Sequence, residues 1–345
     1  MPTVMTVHES PDDWIRMEPV VRALHASALL RPVRGTGAEP RDDVESLVEA
    51  LRPDAVLVES ASPRALAAAR AASRLGLPVA HLSAGRRAGD RADGVAEEPG
   101  RRELDRLSRL HLAPTEHAAR VLLAASVPEH RIVVTGDPLI DTVLSHPRVP
   151  SPAGAQPIVL VVAHRPQHAG APVRRLGAAV RILAARFPGH AFVLSADPDL
   201  AVHAGLGSEL GRAANIHSLA QPRFEVLLEL IGRSALVLTD CTRIEEVAPS
   251  CDVPVLVLGD TTARPEGVLA GTSAVMGTRV ERMVEEASGL LADPVRHASM
   301  AGAPSPFGDG RAAERVVAAL AELLGCGTRL PDFVTPLRRE PVAAR

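Results

Sequence analysis

Short aliphatic runs alternate along this chain with longer stretches whose apolar residues recur at helical spacing. That is the pattern of parallel α/β units, whose strands are buried on both faces and lose the two-residue alternation of an exposed sheet. Strands are expected at 3–8, 54–59, 78–83, 110–113 and 131–135, with helices between them. In RDDVESLVEALR, Val44, Leu47, Val48 and Leu51 keep helical spacing. In SPRALAAARAASRLG, Ser62 can cap a helix, Pro63 suits its first turn, and Gly76 ends it.

The stretch SHPRVPSPAGAQP, 145–157, interrupts the alternation with four prolines and no periodic apolar face, the signature of a linker. Strands resume at 157–163, 190–195, 235–239, 253–258 and 273–276. Thr278 and Glu281 have capping-box spacing before a helix carrying Val280, Met283, Val284 and Leu291. The expected organisation has one Rossmann-like domain at 1–147, a linker at 148–157 and a second Rossmann-like domain at 158–309. A final helix at 310–325 crosses back to the first domain, and 326–345 is a poorly ordered Pro/Arg-rich tail. Two such lobes leave an interdomain cleft, and open α/β sheets bind ligands at their carboxyl edges.

Composition narrows the chemistry. A chain of 345 residues exceeds one compact core. A net charge of -3 and 2% aromatic residues argue against a broad phosphate-binding surface and a base-stacking reader, so no nucleic-acid partner is expected. All 38 basic residues are arginine and tyrosine is absent. Without lysine there is no internal aldimine with pyridoxal phosphate and no Walker-type lysine; the Tyr/Lys pair of short-chain dehydrogenase-type epimerases is excluded too. Three cysteines suit neither a disulfide framework nor a zinc site. The start MPTVMTVHES lacks a signal-peptide pattern and no apolar run reaches ~18 residues, so a cytoplasmic protein without a membrane span is expected.

Four segments go further: LPVAHLSAGRRAGD…EEPGRRELDRLSRLHLAPTEHAARVLLAASVPEHRIVVTGDPLIDTV at 77–143, AHR at 163–165, VPVLVLGDTTARPEGVLAGTSAVMGT at 253–278, and SPFGDGRAAERVVAAL at 305–320. With them, residues 12 to 324 resemble the non-hydrolysing UDP-N-acetylglucosamine 2-epimerases in consistent order. The resemblance implies a two-lobed fold like that of GT-B glycosyltransferases, a dimer, UDP held mainly by the C-terminal lobe, and no redox cofactor or metal. It also implies C2 proton abstraction with loss of UDP from C1, then re-addition after the proton returns on the opposite face. Such chemistry needs proton-transfer groups at the sugar and positive or dipolar groups at the diphosphate.

Position by position, the family's opening Gly-Thr-Arg-Pro-Glu turn is Glu9-Ser10-Pro11-Asp12-Asp13 here, and Arg16 replaces a lysine. Ala61 occupies the position of a catalytic aspartate and Ser83 that of a glutamate. Strand alternation points the neighbouring Glu59 elsewhere. Glu97, in EEPGR, matches a third carboxylate; His164 matches the histidine associated with the leaving UDP, and Arg165 follows it. The phosphate-cradling Ser-Gly-Gly turn is Cys241-Thr242-Arg243, and a ribose-holding glutamate is Val247.

The residues leave alternatives open. Arg243 binds an anion itself, or pairs with Glu246 or Glu97 and plugs the pocket. Arg264 and Glu266 flank the nucleotide, or form a structural ion-paired turn. Cys241 is a thiol activated at a helix N-terminus, or a buried one. His164 and His168, separated by Pro166, do not make a helical metal site. Three functions follow: a weakened or redirected UDP-sugar 2-epimerase using Glu97 and His164; a non-catalytic paralogue, homodimeric or paired with an active epimerase; and, by fold analogy alone, a GT-B glycosyltransferase.

Overall fold

A computed structural model describes residues 1–35, 43–86, 98–147, 154–163, 171–196, 213–220 and 222–336. The chain forms two compact units, 1–145 with 307–335, and 146–306.

The first unit is built on a six-stranded parallel sheet of order β2-β1-β3-β4-β5-β6. Its strands are β1 Thr3–Val7, β2 Arg31–Arg34, β3 Ala55–Val58, β4 Val79–Leu82, β5 Leu110–Ala113 and β6 Ile132–Val134. Its helices are α1 Pro11–Ala26, α2 Val44–Leu51, α3 Pro63–Arg74, α4 Glu98–Leu107, α5 Glu116–Ala124 and α6 Pro138–Ser145. One sheet face packs Leu57, Leu82 and Leu112 against Met17, Val20 and Leu24 of α1 and against Val316 and Leu320 of a final helix. The other packs Met5, Val56 and Val58 against the small alanine face of α3 and Leu104 of α4. Thus α1 and α3 leave the neighbouring strands β1 and β3 on opposite faces. That divergence opens a crevice at their carboxyl ends, the switch point of a doubly wound sheet.

The second unit repeats the plan with sheet order β12-β11-β10-β7-β8-β9, also parallel. Its strands are β7 Ile158–Ala163, β8 Ala191–Ala196, β9 Ile216–Ala220, β10 Ser234–Thr239, β11 Val255–Leu258 and β12 Ser273–Gly277. Helices α7 Ala171–Arg186, α8 Phe224–Gly232, α9 Thr242–Val247, α10 Pro265–Ala270, α11 Val280–Ala292 and α12 Pro294–Ala301 surround it. Its core gathers Val161, Phe192, Leu238 and Leu256 of the sheet with Leu183 of α7 and Met283 of α11. The chain then returns to the first unit as α13, Ala312–Leu323, packed on α1. The buried Asp141 carboxylate of α6 accepts from Ala312 N–H at 3.0 Å and Ala313 N–H at 2.7 Å, capping α13.

The ten strands expected from sequence are present to within a residue or two, and the described residues form two more. Both β2 and β9 lie at sheet edges, where one side of the strand faces no neighbour and a continuous apolar run is not needed. Arg31-Pro32-Val33-Arg34 therefore carries no strand signal beyond its own pairing with β1. Ser62 caps α3, accepting from Ala65 N–H at 3.2 Å, with Pro63 in the first turn. Ser62→Ala is expected to cost about 1 kcal/mol, read from the urea midpoint.

Two expectations are corrected. Thr278 and Glu281 form no capping box: α11 begins after Arg279, which makes no side-chain cap bond. The box lies instead at Ser10 and Asp13 of α1. Nor is all of 326–345 loose. Phe333 is buried, its N–H bonds Val134 carbonyl at 2.7 Å, and Arg315 both stacks on its ring and donates to Pro331 carbonyl. An aromatic residue covering the edge of β6 anchors this segment. Residues 337–345 lie outside the described part, as do 148–153 of the linker.

Candidate functional site

A cluster of charged side chains gathers at the carboxyl edge of the first sheet. Asp13, in the first turn of α1, accepts from Glu9 N–H and Ser10 N–H, both at 3.1 Å, and from the Ser60 hydroxyl at 3.2 Å. Glu59 follows β3 and is 8% exposed. Strand alternation misplaced it. Beyond Val58 the chain has left the pleat, and the Glu59 side chain turns to hydrogen-bond Asp13. Burial, opposed by Arg16 and Arg86 and reinforced by Asp13, raises the Glu59 carboxyl to about 8. Burial also works to raise Asp13, but the bonds from Glu9, Glu59 and Ser10 leave it below its usual value. At neutral pH the pair therefore holds one proton, on Glu59, donated toward the Asp13 carboxylate.

Two guanidinium groups stand beside this pair. Arg16 Nε lies 3.2 Å from Asp137 Oδ1 and Arg86 Nη1 lies 2.8 Å from Oδ2. Asp137, 1% exposed, also accepts from Leu139 N–H at 2.9 Å. Arg16 thus keeps a cation at the position of the expected lysine, committed to a buried carboxylate. Arg86 ends the turn after β4, in which Ser83 has φ +57° and Gly85 φ +78°. A Cβ at Gly85 would stand 2.2 Å from the Ala118 carbonyl, so the turn has room only for glycine. Ser83 is buried, Ala61 precedes the cap of α3, and neither side chain carries a proton-transfer group. Glu97 lies outside the described residues.

In the second unit, His164 and Arg165, directly after β7, also lie outside the described residues. A small pocket at the carboxyl edge of this sheet is walled by Ala163, Leu176, Leu258 and Gly259, with Asp240 and Thr278 at its margin. Cys241 caps α9, donating its backbone N–H to the Thr239 hydroxyl at 2.9 Å. Desolvation pushes its thiol above the usual value, which opposes activation, and the residue is partly buried.

Arg243 lies in the first turn of α9, after Cys241 and Thr242. Its guanidinium lies over the Phe224 ring, 5.7 Å from the centroid. Glu246 binds Arg264 in a tight buried ion pair, Glu245 accepts from the Thr262 hydroxyl, and Arg264 also donates to Ala263 carbonyl. The ion pair of the ARPEG turn runs from Arg264 to Glu246, outside the motif itself. Val247 is fully buried.

The sequence pattern does not reveal the Glu59–Asp13 pair, the Arg86–Asp137–Arg16 bridge or a buried trio of His81, Asp105 and His111. His81 and His111 are paired across β4 and β5. Burial and the neighbouring His81 hold the His111 imidazole down to about 4, against the pull of Asp105, so it is neutral at physiological pH. Only a strand register juxtaposes residues so far apart in sequence.

The family model for UDP-N-acetylglucosamine 2-epimerase matches residues 42–321. A probable UDP-N-acetylglucosamine 2-epimerase of Ralstonia solanacearum is 35% identical over 292 residues, covering 80% of this chain and 78% of that protein. The UDP-N-acetylglucosamine 2-epimerase of Neisseria meningitidis serogroup A is 31% identical over 288 residues, covering 79% and 77%. Among solved structures, a co-structure of Staphylococcus aureus MnaA with UDP superposes with a TM-score of 0.88 at 29% identity, covering 97% of this chain and all of that one. The Neisseria meningitidis UDP-GlcNAc 2-epimerase bound to UDP-GlcNAc gives a TM-score of 0.82 at 27% identity, covering 93% and 100%.

Proposed function

Since this chain belongs to the UDP-N-acetylglucosamine 2-epimerase family, we propose that it binds a UDP-N-acetylhexosamine and inverts the sugar at C2, slowly, by elimination and re-addition of UDP. The observation that carries this reading is the Glu59–Asp13 pair at the carboxyl edge of the first sheet. Abstraction and return of a C–H proton need a group that gains and loses a proton near neutral pH. Glu59, at about 8, meets that requirement. Arg16 and Arg86 supply positive charge beside it, which favours the anion developing as the proton leaves. Glu97 and His164 are the other proton-handling candidates, and Arg165 and Arg243 the candidates for contact with the diphosphate.

The rate is reduced because Ala61 and Ser83 stand where the resemblance places carboxylates. Loss of one proton-transfer group costs about 10²–10⁴ in rate, and losses within one unit do not multiply. The second reading is a non-catalytic partner of an active homologue. It is favoured by the second unit, where Arg264 is committed to Glu246 and an apolar Val247 is buried.

Incubation with UDP-N-acetylglucosamine in deuterated water separates them. Slow deuterium incorporation at C2, with traces of free UDP seen by NMR, is the expected result. No exchange, together with no heat on titrating UDP, would leave the non-catalytic reading.

A further inference from the structure

Three metal-competent side chains from two strands and a helix meet inside the first unit. We infer that His81, Asp105 and His111 form a binding site for a single divalent ion of the zinc class. His81 on β4 and His111 on β5 are direct partners in a parallel register, so their imidazoles project from the same sheet face. Asp105, on α4, brings a carboxylate to that face. One ligand atom from each residue lies within 4.8 Å of the others, and all three side chains are buried.

The spacing is longer than that of a hydrogen bond and close to that of ligand atoms around an ion. His81 Nδ1 is 3.5 Å from Asp105 Oδ1, and His111 Nδ1 is 4.0 Å from the same oxygen. An N–H···O bond spans about 2.7–3.2 Å. A tetrahedral ion with bonds of about 2.0–2.2 Å holds its ligand atoms about 3.4 Å apart. The shorter contact matches that edge, and the longer ones need only small side-chain rotations. Two imidazoles and one carboxylate are a donor set suited to zinc and neighbouring transition metals rather than to calcium or magnesium.

Asp105 and His111 also line a pocket shared with Glu98, Arg102 and Arg131. Two of the three thus border a surface pocket, while His81 does not line it, and water or a small anion entering there would complete the shell. The ion ties β4, β5 and α4 together two residues before Ser83, where the chain turns toward Arg86 and the Asp137 bridge. It acts as a brace, independent of the proton transfer assigned to Glu59.

The test uses the full-length chain, stripped with a chelator and titrated with zinc chloride by calorimetry. One ion per chain, with a raised melting temperature, is expected. Cobalt(II) in place of zinc should give the visible absorption of a tetrahedral site. Asp105→Asn and His111→Gln should each weaken zinc binding at least about tenfold and abolish that absorption. Absence of stoichiometric binding by the parent chain overturns the assignment. So does unchanged affinity in the folded variants, which would place the ion on other histidines. If a variant does not fold, the cobalt spectrum of the parent chain decides: a tetrahedral spectrum at one equivalent supports the site, and an octahedral one refutes it.

Discussion

Glu59→Gln is expected to slow C2–H exchange by about 10²–10⁴ while making the protein more stable at pH 8. Glutamine has the shape of the protonated acid and can still donate to the Asp13 carboxylate, but it cannot release a proton. The stability effect follows from the raised Glu59 carboxyl, about 8 when folded against an ordinary value of 4.5. Between those values the folded state holds a proton that the unfolded chain releases, so the parent protein loses stability as pH rises from 4.5 to 8, and the loss is flat above that. The variant escapes this loss. Its advantage is near zero at pH 4.5 and reaches its plateau at about pH 8; ~5 kcal/mol is the upper bound, and relaxation around the buried carboxyl makes about 1–3 kcal/mol the expected value. Melting temperatures at pH 5 and pH 8 measure it, together with exchange into substrate followed by NMR. A stability gap that does not widen with pH would contradict the buried proton. Exchange at the parental rate would remove Glu59 from the chemistry.

Asp137→Ala is expected to be the most damaging single change at this edge for stability, at about 3–5 kcal/mol. The carboxylate is 2% exposed and the two guanidinium groups it joins are each 12% exposed. Truncation leaves two nearly buried cations without their shared counter-charge and removes the acceptor for Leu139 N–H. Asp137→Asn keeps an acceptor for that amide but no charge, and should fall between the parent and the alanine variant. Urea denaturation gives the values. A loss below about 1 kcal/mol for alanine would mean that the arginines relax into solvent and that the bridge contributes little.

The fold was largely legible because buried parallel strands and their covering helices leave one-dimensional signals. The aliphatic runs at 157–163 and 253–258 needed no partner to be recognised. The strands β2 and β9 were not legible because Arg31–Arg34 and Ile216–Ala220 lack a continuous apolar run, which an edge position permits, whereas the edge strand β6 keeps its Ile-Val-Val run. Helix starts divided in the same way. Ser62 with Pro63 makes a local cap, whereas the Thr278 and Glu281 spacing was met by a chain that began its helix elsewhere.

The candidate site was harder to read. The sequence alone determined which groups are missing: no lysine, no tyrosine, alanine at 61, serine at 83, and bulky side chains where a glycine turn was expected. Absence of a chemical group is a property of composition and survives any folding. Which of the remaining groups meet was decided by the tertiary structure alone. Glu59 finds Asp13 across the β1–β3 switch point, Asp137 gathers Arg16 and Arg86, and Glu246 takes Arg264. Contact, burial and proton affinity at those places depend on strand register and on which face each helix leaves from. Both are set by packing between segments tens to more than a hundred residues apart, and neither leaves a local trace in the chain.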